Sequence, residues 1–182
     1  MNRRVNETLY ELCGEPGVCA YCGDVATQID HTVPVSFLNQ KPEIGRMFNL
    51  MKVHSCTECN CMASDFLQQT FFERRLFISG GFIRKHKKQL RTANWSDDEI
   101  AEMGVGMRSY IAAATEYNKI LKRRLKLLGS SDLPNGIRDD LWEPRTELLD
   151  GEWTGPNHST KASQIQQRTE KMLNRIFVAE RW

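Results

Sequence analysis

The sequence predicts an α+β fold: a small zinc-stabilised module with short strands, followed by a mainly α-helical extension. Three observations lead there. All six cysteines fall within residues 1-65 and four of them form two C-x2-C pairs, short alternating apolar runs lie beside those pairs, and helix-period apolar spacing dominates the chain that follows. With 182 residues, 26% charged and 40% apolar, the chain has one domain's length with room for an extension. That composition buries a core, which excludes fibrous and wholly disordered classes.

The first module is read from its strands. Val25, Thr27 and Ile29 alternate in a strand-like run that ends at Asp30-His31, and Pro34 then favours a loop. A second run, Leu50 to His54, leads into the second cysteine pair. The following stretch lacks Gly and Pro and reads as helix through Ile78, with Ser79-Gly80-Gly81 as its stop. Ser96-Asp97-Asp98-Glu99 is a capping box that should open a long helix carrying Ile100, Met103, Met107, Tyr110, Ala114, Leu121, Leu125 and Leu128 on one face, ending near Gly129. Gly104 and Gly106 each weaken it by about 1 kcal/mol relative to Ala, so an early kink is expected. Residues 130-160, with Pro134, Pro144 and Pro156, read as irregular connection. Ile165, Met172, Leu173, Ile176 and Phe177 mark a final amphipathic helix that must pack on the body or on a partner.

Charge divides the chain the same way. The net charge is +2, yet residues 1-65 carry 5 basic and 8 acidic groups, residues 66-128 carry 13 and 6, and residues 129-182 carry 7 and 9. The near-neutral total hides a basic middle. Three units are therefore expected: a zinc module over 1-65, a basic helical region over 66-128 packed on it, and over 129-182 a connection with the C-terminal helix. There is no internal repeat.

No window approaches about 18 consecutive apolar residues, and Met1 to Tyr10 has no apolar core of a secretion signal. The expectation is a cytoplasmic protein with no membrane partner. A reducing compartment disfavours disulfides, leaving metal ligands, free thiols or a catalytic thiol as roles for the cysteines.

Cys19-Ala-Tyr-Cys22 and Cys56-Thr-Glu-Cys59 have the spacing that lets four thiolates meet one tetrahedral zinc at about 2.3 Å. Such a site is closed to water, so its zinc serves folding. Cys13 and Cys61 are left as free thiols, since Cys13 lacks the two-residue knuckle spacing to Cys19.

Between and around the pairs stand Gln28-Ile29-Asp30-His31-Thr32-Val33-Pro34, then Phe48-Asn49-Leu50, then Cys59-Asn60. This ordered set, over roughly residues 19-65, resembles the HNH endonuclease family in its zinc-stabilised ββα-metal, treble-clef form. The chemistry suits those residue types. A neutral imidazole with pKa near ~6.5 can take a proton from water, which makes His31 the candidate general base. A hard divalent ion held by oxygen ligands stabilises charge building on a phosphate, and Asp30 and Asn60 offer such oxygens. The resemblance implies that Asp30 and Asn60 hold one magnesium or manganese ion, that Asn49 positions the catalytic loop, and that products carry 5′-phosphate and 3′-hydroxyl ends. Strand alternation would put Asp30 and His31 on opposite sides. The basic residues that often follow the family's C-x2-C-Asn are replaced here by Cys61-Met62-Ala63-Ser64-Asp65. Asp65 is read as solvated or helix-capping, His54 as structural, and neither His86 nor His158 as catalytic.

Nucleic acid, double-stranded DNA by the resemblance, is the expected partner. Arg84, Lys85, Lys87, Lys88 and Arg91 form one basic cluster, and Lys119, Lys122, Arg123 and Lys126 form a strip on the long helix. Both suit phosphate contacts and neither reads base edges. Two alternatives stand beside the nuclease: a non-catalytic zinc module that binds nucleic acid or protein, and a phage-packaging or defence type of nuclease subunit licensed by a partner. In the latter, residues 130-182 would dock the partner or a second copy.

Overall fold

Three strands form the sheet that carries the cysteine pairs. The computed structural model describes residues 9-40, 45, 48-63, 67, 68, 70-141, 143 and 144. In chain order, β1 (Tyr10–Cys13) runs parallel to the central β3 (Phe48–Ser55), and β2 (Gln28–His31) runs antiparallel on its other side, giving the order β1-β3-β2. The register sets Asp30 opposite Val53 and His31 opposite Lys52. A two-residue strand, β4 (Glu143–Pro144), pairs with the start of β3.

Helices cover the sheet. α1 (Val35–Gln40) follows Pro34, and α2 (Thr57–Ala63) follows β3 directly, so β2, β3 and α2 succeed one another as two antiparallel strands and a helix. The extension consists of α3 (Phe71–Lys85), α4 (Lys87–Leu90), α5 (Asp97–Ala101) and α6 (Val105–Leu128). The molecule is thus mixed α+β, a small sheet with helices around it.

Two apolar clusters lie on the two sides of the sheet. One gathers Met51 and Val53 with the four paired cysteines, Phe71, Ile78 and Phe82 of α3, Leu121, Leu125 and Leu128 of α6, and Ile137 and Leu141. The other gathers Tyr10, Val33, Leu38, Phe48 and Leu50. Alternation along β3 explains the division, since successive side chains point to opposite faces.

β2 and β3 fall on the two expected runs, but Val25 and Thr27 lie outside β2, the sequence did not signal β1, and two helices depart from expectation. α3 does not stop at Ser79-Gly80-Gly81; it starts at a Thr70–Glu73 capping box and continues to Lys85. The small residues there form a notch: Ser79 is buried, and a Cβ on Gly81 would meet Met62 of α2 at 3.3 Å. Close packing of α3 on α2 offsets what glycine costs in a helix. The capping box at Ser96 is present, yet it opens only the five-residue α5, and the chain breaks before α6 with Gly104 as N-cap. Of the expected apolar face, Leu121, Leu125 and Leu128 are buried, whereas Met107 and Tyr110 are 63% and 73% exposed because the first half of α6 runs past the body. Gly129 is the C-cap. The expected C-terminal helix, with Ile165, Met172, Leu173, Ile176 and Phe177, and also Asp65 and His158, lie outside the described residues.

Candidate metal centre and catalytic residues

The Sγ atoms of Cys19, Cys22, Cys56 and Cys59 all lie within 4.8 Å of one another, and all four residues are buried. Cys22 Sγ and Cys56 Sγ are 3.8 Å apart, which matches the edge of a tetrahedron with bonds of about 2.3 Å and is far too long for a disulfide. Backbone turns shape each knuckle. Gly23 N–H donates to Cys19 O at 2.9 Å, and Cys59 N–H points at Cys56 Sγ at 3.4 Å. Gly23 has φ +72°, and a Cβ there would lie 2.7 Å from Leu127 Cδ1, so glycine serves both the turn and the approach of α6. Hydrogen bonds within the cluster push the Cys19 thiol toward the thiolate and hold Cys22 and Cys59 toward the thiol. The donor set therefore fits a zinc ion, with no coordination position left over. Among the described residues it is the one cluster of metal-ligating His, Cys, Asp or Glu side chains. Cys13, buried, and Cys61, exposed, stand outside it, and burial raises the Cys13 thiol pKa.

Asp30 sits on the zinc side of β2 and is only 5% exposed. Its carboxylate is gripped by Arg74 of α3, a residue with no exposed surface. Arg74 Nη2 donates to Oδ1 at 3.0 Å and Oδ2 at 2.9 Å, and Nε donates to Oδ2 at 3.0 Å. The Tyr21 hydroxyl, from inside the first C-x2-C pair, also donates to Oδ2 and accepts from Arg74 Nε at 3.0 Å. Burial raises the Tyr21 pKa, and the Asp30 charge raises it further. Arg74 holds its proton more firmly than usual, because Tyr21 and Asp30 more than offset the burial that opposes its charge. Both carboxylate oxygens of Asp30, expected with Asn60 to hold magnesium or manganese, are thus in a buried ion pair with a guanidinium. A second cation at that carboxylate would have to share it with Arg74.

His31 ends β2 on the opposite side of the sheet, where its ring meets Tyr10 edge-on with centroids 4.6 Å apart. Asn60, in α2, donates through Nδ2 to Gln28 Oε1 at 2.6 Å. Gln28 and Asp30 share a face of β2, so Asn60 stands on the Asp30 side. Asn49 is half-buried at the start of β3, and its carbonyl accepts from Arg138.

The basic residues differ in their ties. Arg84, Lys87, Lys88 and Arg91 are exposed at the end of α3 and along α4, whereas Lys85 bridges Glu58 at 2.7 Å. On α6, Arg123 and Lys126 are exposed, Lys119 pairs with Glu116 at 3.5 Å, and Lys122 Nζ donates to Asn94 Oδ1 at 3.2 Å. The two groups adjoin, since Asn118 of α6 donates to the Thr92 carbonyl just after α4.

Sequence reasoning missed four partners of the site: Tyr21, Arg74 and Arg124, which are buried, and the half-buried Glu58. Arg74 and Arg124 lie in the charge-rich helices, and only their place on the apolar faces of those helices signalled burial. No helix of the described residues is long and apolar enough to cross a membrane. No protein-family model, curated protein or solved structure matches the chain.

Proposed function

We propose that the chain is a zinc-stabilised endonuclease module that hydrolyses phosphodiester bonds of nucleic acid, DNA in the first place, with His31 as general base. The observation that carries this reading is the division of labour at the end of β2. His31 faces one side, and Asp30 and Asn60 of α2 face the other, so a candidate base and candidate metal ligands adjoin at one strand end. In the proposed reaction His31 removes a proton from water, the water oxygen bonds to phosphorus, and the bond to the 3′ oxygen breaks as that oxygen gains a proton. The products are 5′-phosphate and 3′-hydroxyl ends.

A divalent ion would be held by Asp30 and Asn60 and would supply positive charge beside the departing oxygen. Carboxylate and amide oxygens are the right donors for it. The Arg74 pair stands against ready loading, because the ion has to share a carboxylate already neutralised by a buried guanidinium. That same pair favours a second reading, a zinc module that binds nucleic acid through Arg84, Lys87, Lys88, Arg91, Arg123 and Lys126 without cutting it.

A plasmid assay separates the two. With a magnesium or manganese series, wild-type protein is expected to nick supercoiled DNA, and His31→Ala to lose about 100- to 10,000-fold of that rate while keeping its zinc. Salt-dependent DNA binding with no cleavage at any metal concentration establishes the second reading.

A further inference from the structure

Arg124 lies in α6, in the middle of the cationic strip, yet its side chain is 9% exposed. Its guanidinium reaches across to the cysteine cluster. Nη2 donates to Cys56 Sγ at 3.5 Å and to Glu58 Oε2 at 2.9 Å, while Nη1 lies 3.3 Å from Asp24 Oδ2. The group also lies over the Phe82 ring, 4.9 Å from its centroid. Asp24 follows the first C-x2-C pair and Glu58 lies inside the second, so one planar fork touches both knuckles. Burial works against its charge, and Cys22, Glu58 and Cys56 more than offset that.

The geometry points to Arg124 as an outer-sphere member of the zinc centre, completing it from the helical extension. This rests on the zinc assignment of the four cysteines and not on nuclease activity. Four thiolates around a divalent cation leave a net charge of two minus in a buried place, and a cation beside a ligating sulfur relieves it. A charge-assisted N–H···S bond also fixes the orientation of Cys56. A guanidinium spreads its donors in a fixed plane that reaches Cys56, Glu58 and Asp24 at once, whereas an ammonium is a single point of charge. Metal and α6 are then held as one unit: Gly23 accepts Leu127 at close range on the same side, and zinc loading sets where the Arg123 and Lys126 cations stand.

The test is zinc affinity of full-length protein, read by competition with a chromogenic chelator, and the thiolate-to-metal charge-transfer band of the cobalt(II)-substituted protein. Arg124→Met is expected to weaken zinc binding about 10- to 100-fold, the range for outer-sphere partners. It should also shift the cobalt band to lower energy, because a sulfur without its hydrogen bond gives up electrons more readily. Arg124→Lys, which keeps the charge and guards against a folding failure, should fall between Arg124→Met and wild type in both readouts. Lys126→Met, on the same helix and exposed, should match wild type. Wild-type affinity and band position in both Arg124 variants would overturn the proposal. Absence of zinc binding in the wild type would instead remove the zinc assignment beneath it.

Discussion

The two faces of the small sheet are built on different principles. On one, Asp30, Arg74, Tyr21, Glu58 and Arg124 are buried or half-buried polar groups tied to one another around four thiols. On the other, His31 meets an apolar cluster of Tyr10, Val33, Leu38, Phe48 and Leu50. Asp30 and His31 are neighbours in sequence and share no environment. The charged face is locked, since each group holds others in place and removing one strands its partners. The His31 face is held by apolar packing, so a change there should affect chemistry more than stability.

Zinc removal should break the locked face most severely. Structural zinc contributes about 10–16 kcal/mol in zinc-finger peptides, so chelation, or Cys59→Ser, is expected to abolish the cooperative thermal transition followed by circular dichroism. A chelated protein that melts like the loaded one would mean that the apolar clusters alone hold the sheet.

The Asp30–Arg74 pair comes next. Asp30→Asn or Arg74→Met alone should cost about 3–5 kcal/mol in denaturant unfolding, because each strands a buried charged partner. The double change to Leu and Met should recover much of that loss. Additive losses in the double variant would show that the two residues act independently, and Asp30 would then be free for another cation.

Glu58 gives a smaller, pH-dependent effect. Burial works against its charge, but hydrogen bonds from Lys85 and His86 and the charge of Arg124 hold its pKa below the ordinary carboxylate value of 4.5. A folded pKa below the unfolded one means that the contribution is complete above about pH 4.5 and is lost as pH falls through the lowered value. Glu58→Gln should therefore be less stable than wild type by roughly 1–3 kcal/mol at pH 7, the gap closing below pH 4.5. A gap that persists unchanged into acid would point to packing and not charge. By contrast, His31→Ala should move the melting temperature least of all.

Much of this was legible before folding. The C-x2-C spacing names the four cysteines that cluster, because two residues between cysteines is what a knuckle requires. The alternation before Asp30 and over Leu50 to His54 names β2 and β3 but not β1, and Ser96 with Glu99 names a helix start. The extent of α3 was not legible, since glycines that read as a stop are a notch for Met62 supplied by another helix. Nor was the isolation of α5, because a capping box marks where a helix begins and says nothing of its length. The exposure of Met107 and Tyr110 depends on where the body ends and not on their spacing.

By itself, the sequence determined the four thiols that gather into one cluster, the strand that ends at Asp30-His31, and the opposite sides to which those two side chains point. These are properties of spacing over two to four residues, enforced by backbone geometry. The tertiary structure alone decided what each meets. Arg74 reaches Asp30 across 44 positions, and Arg124 reaches Cys56 across 68. Such partners are chosen by which helix face is buried against the sheet, and a buried charge left unpaired by that packing would cost more than the fold can lose.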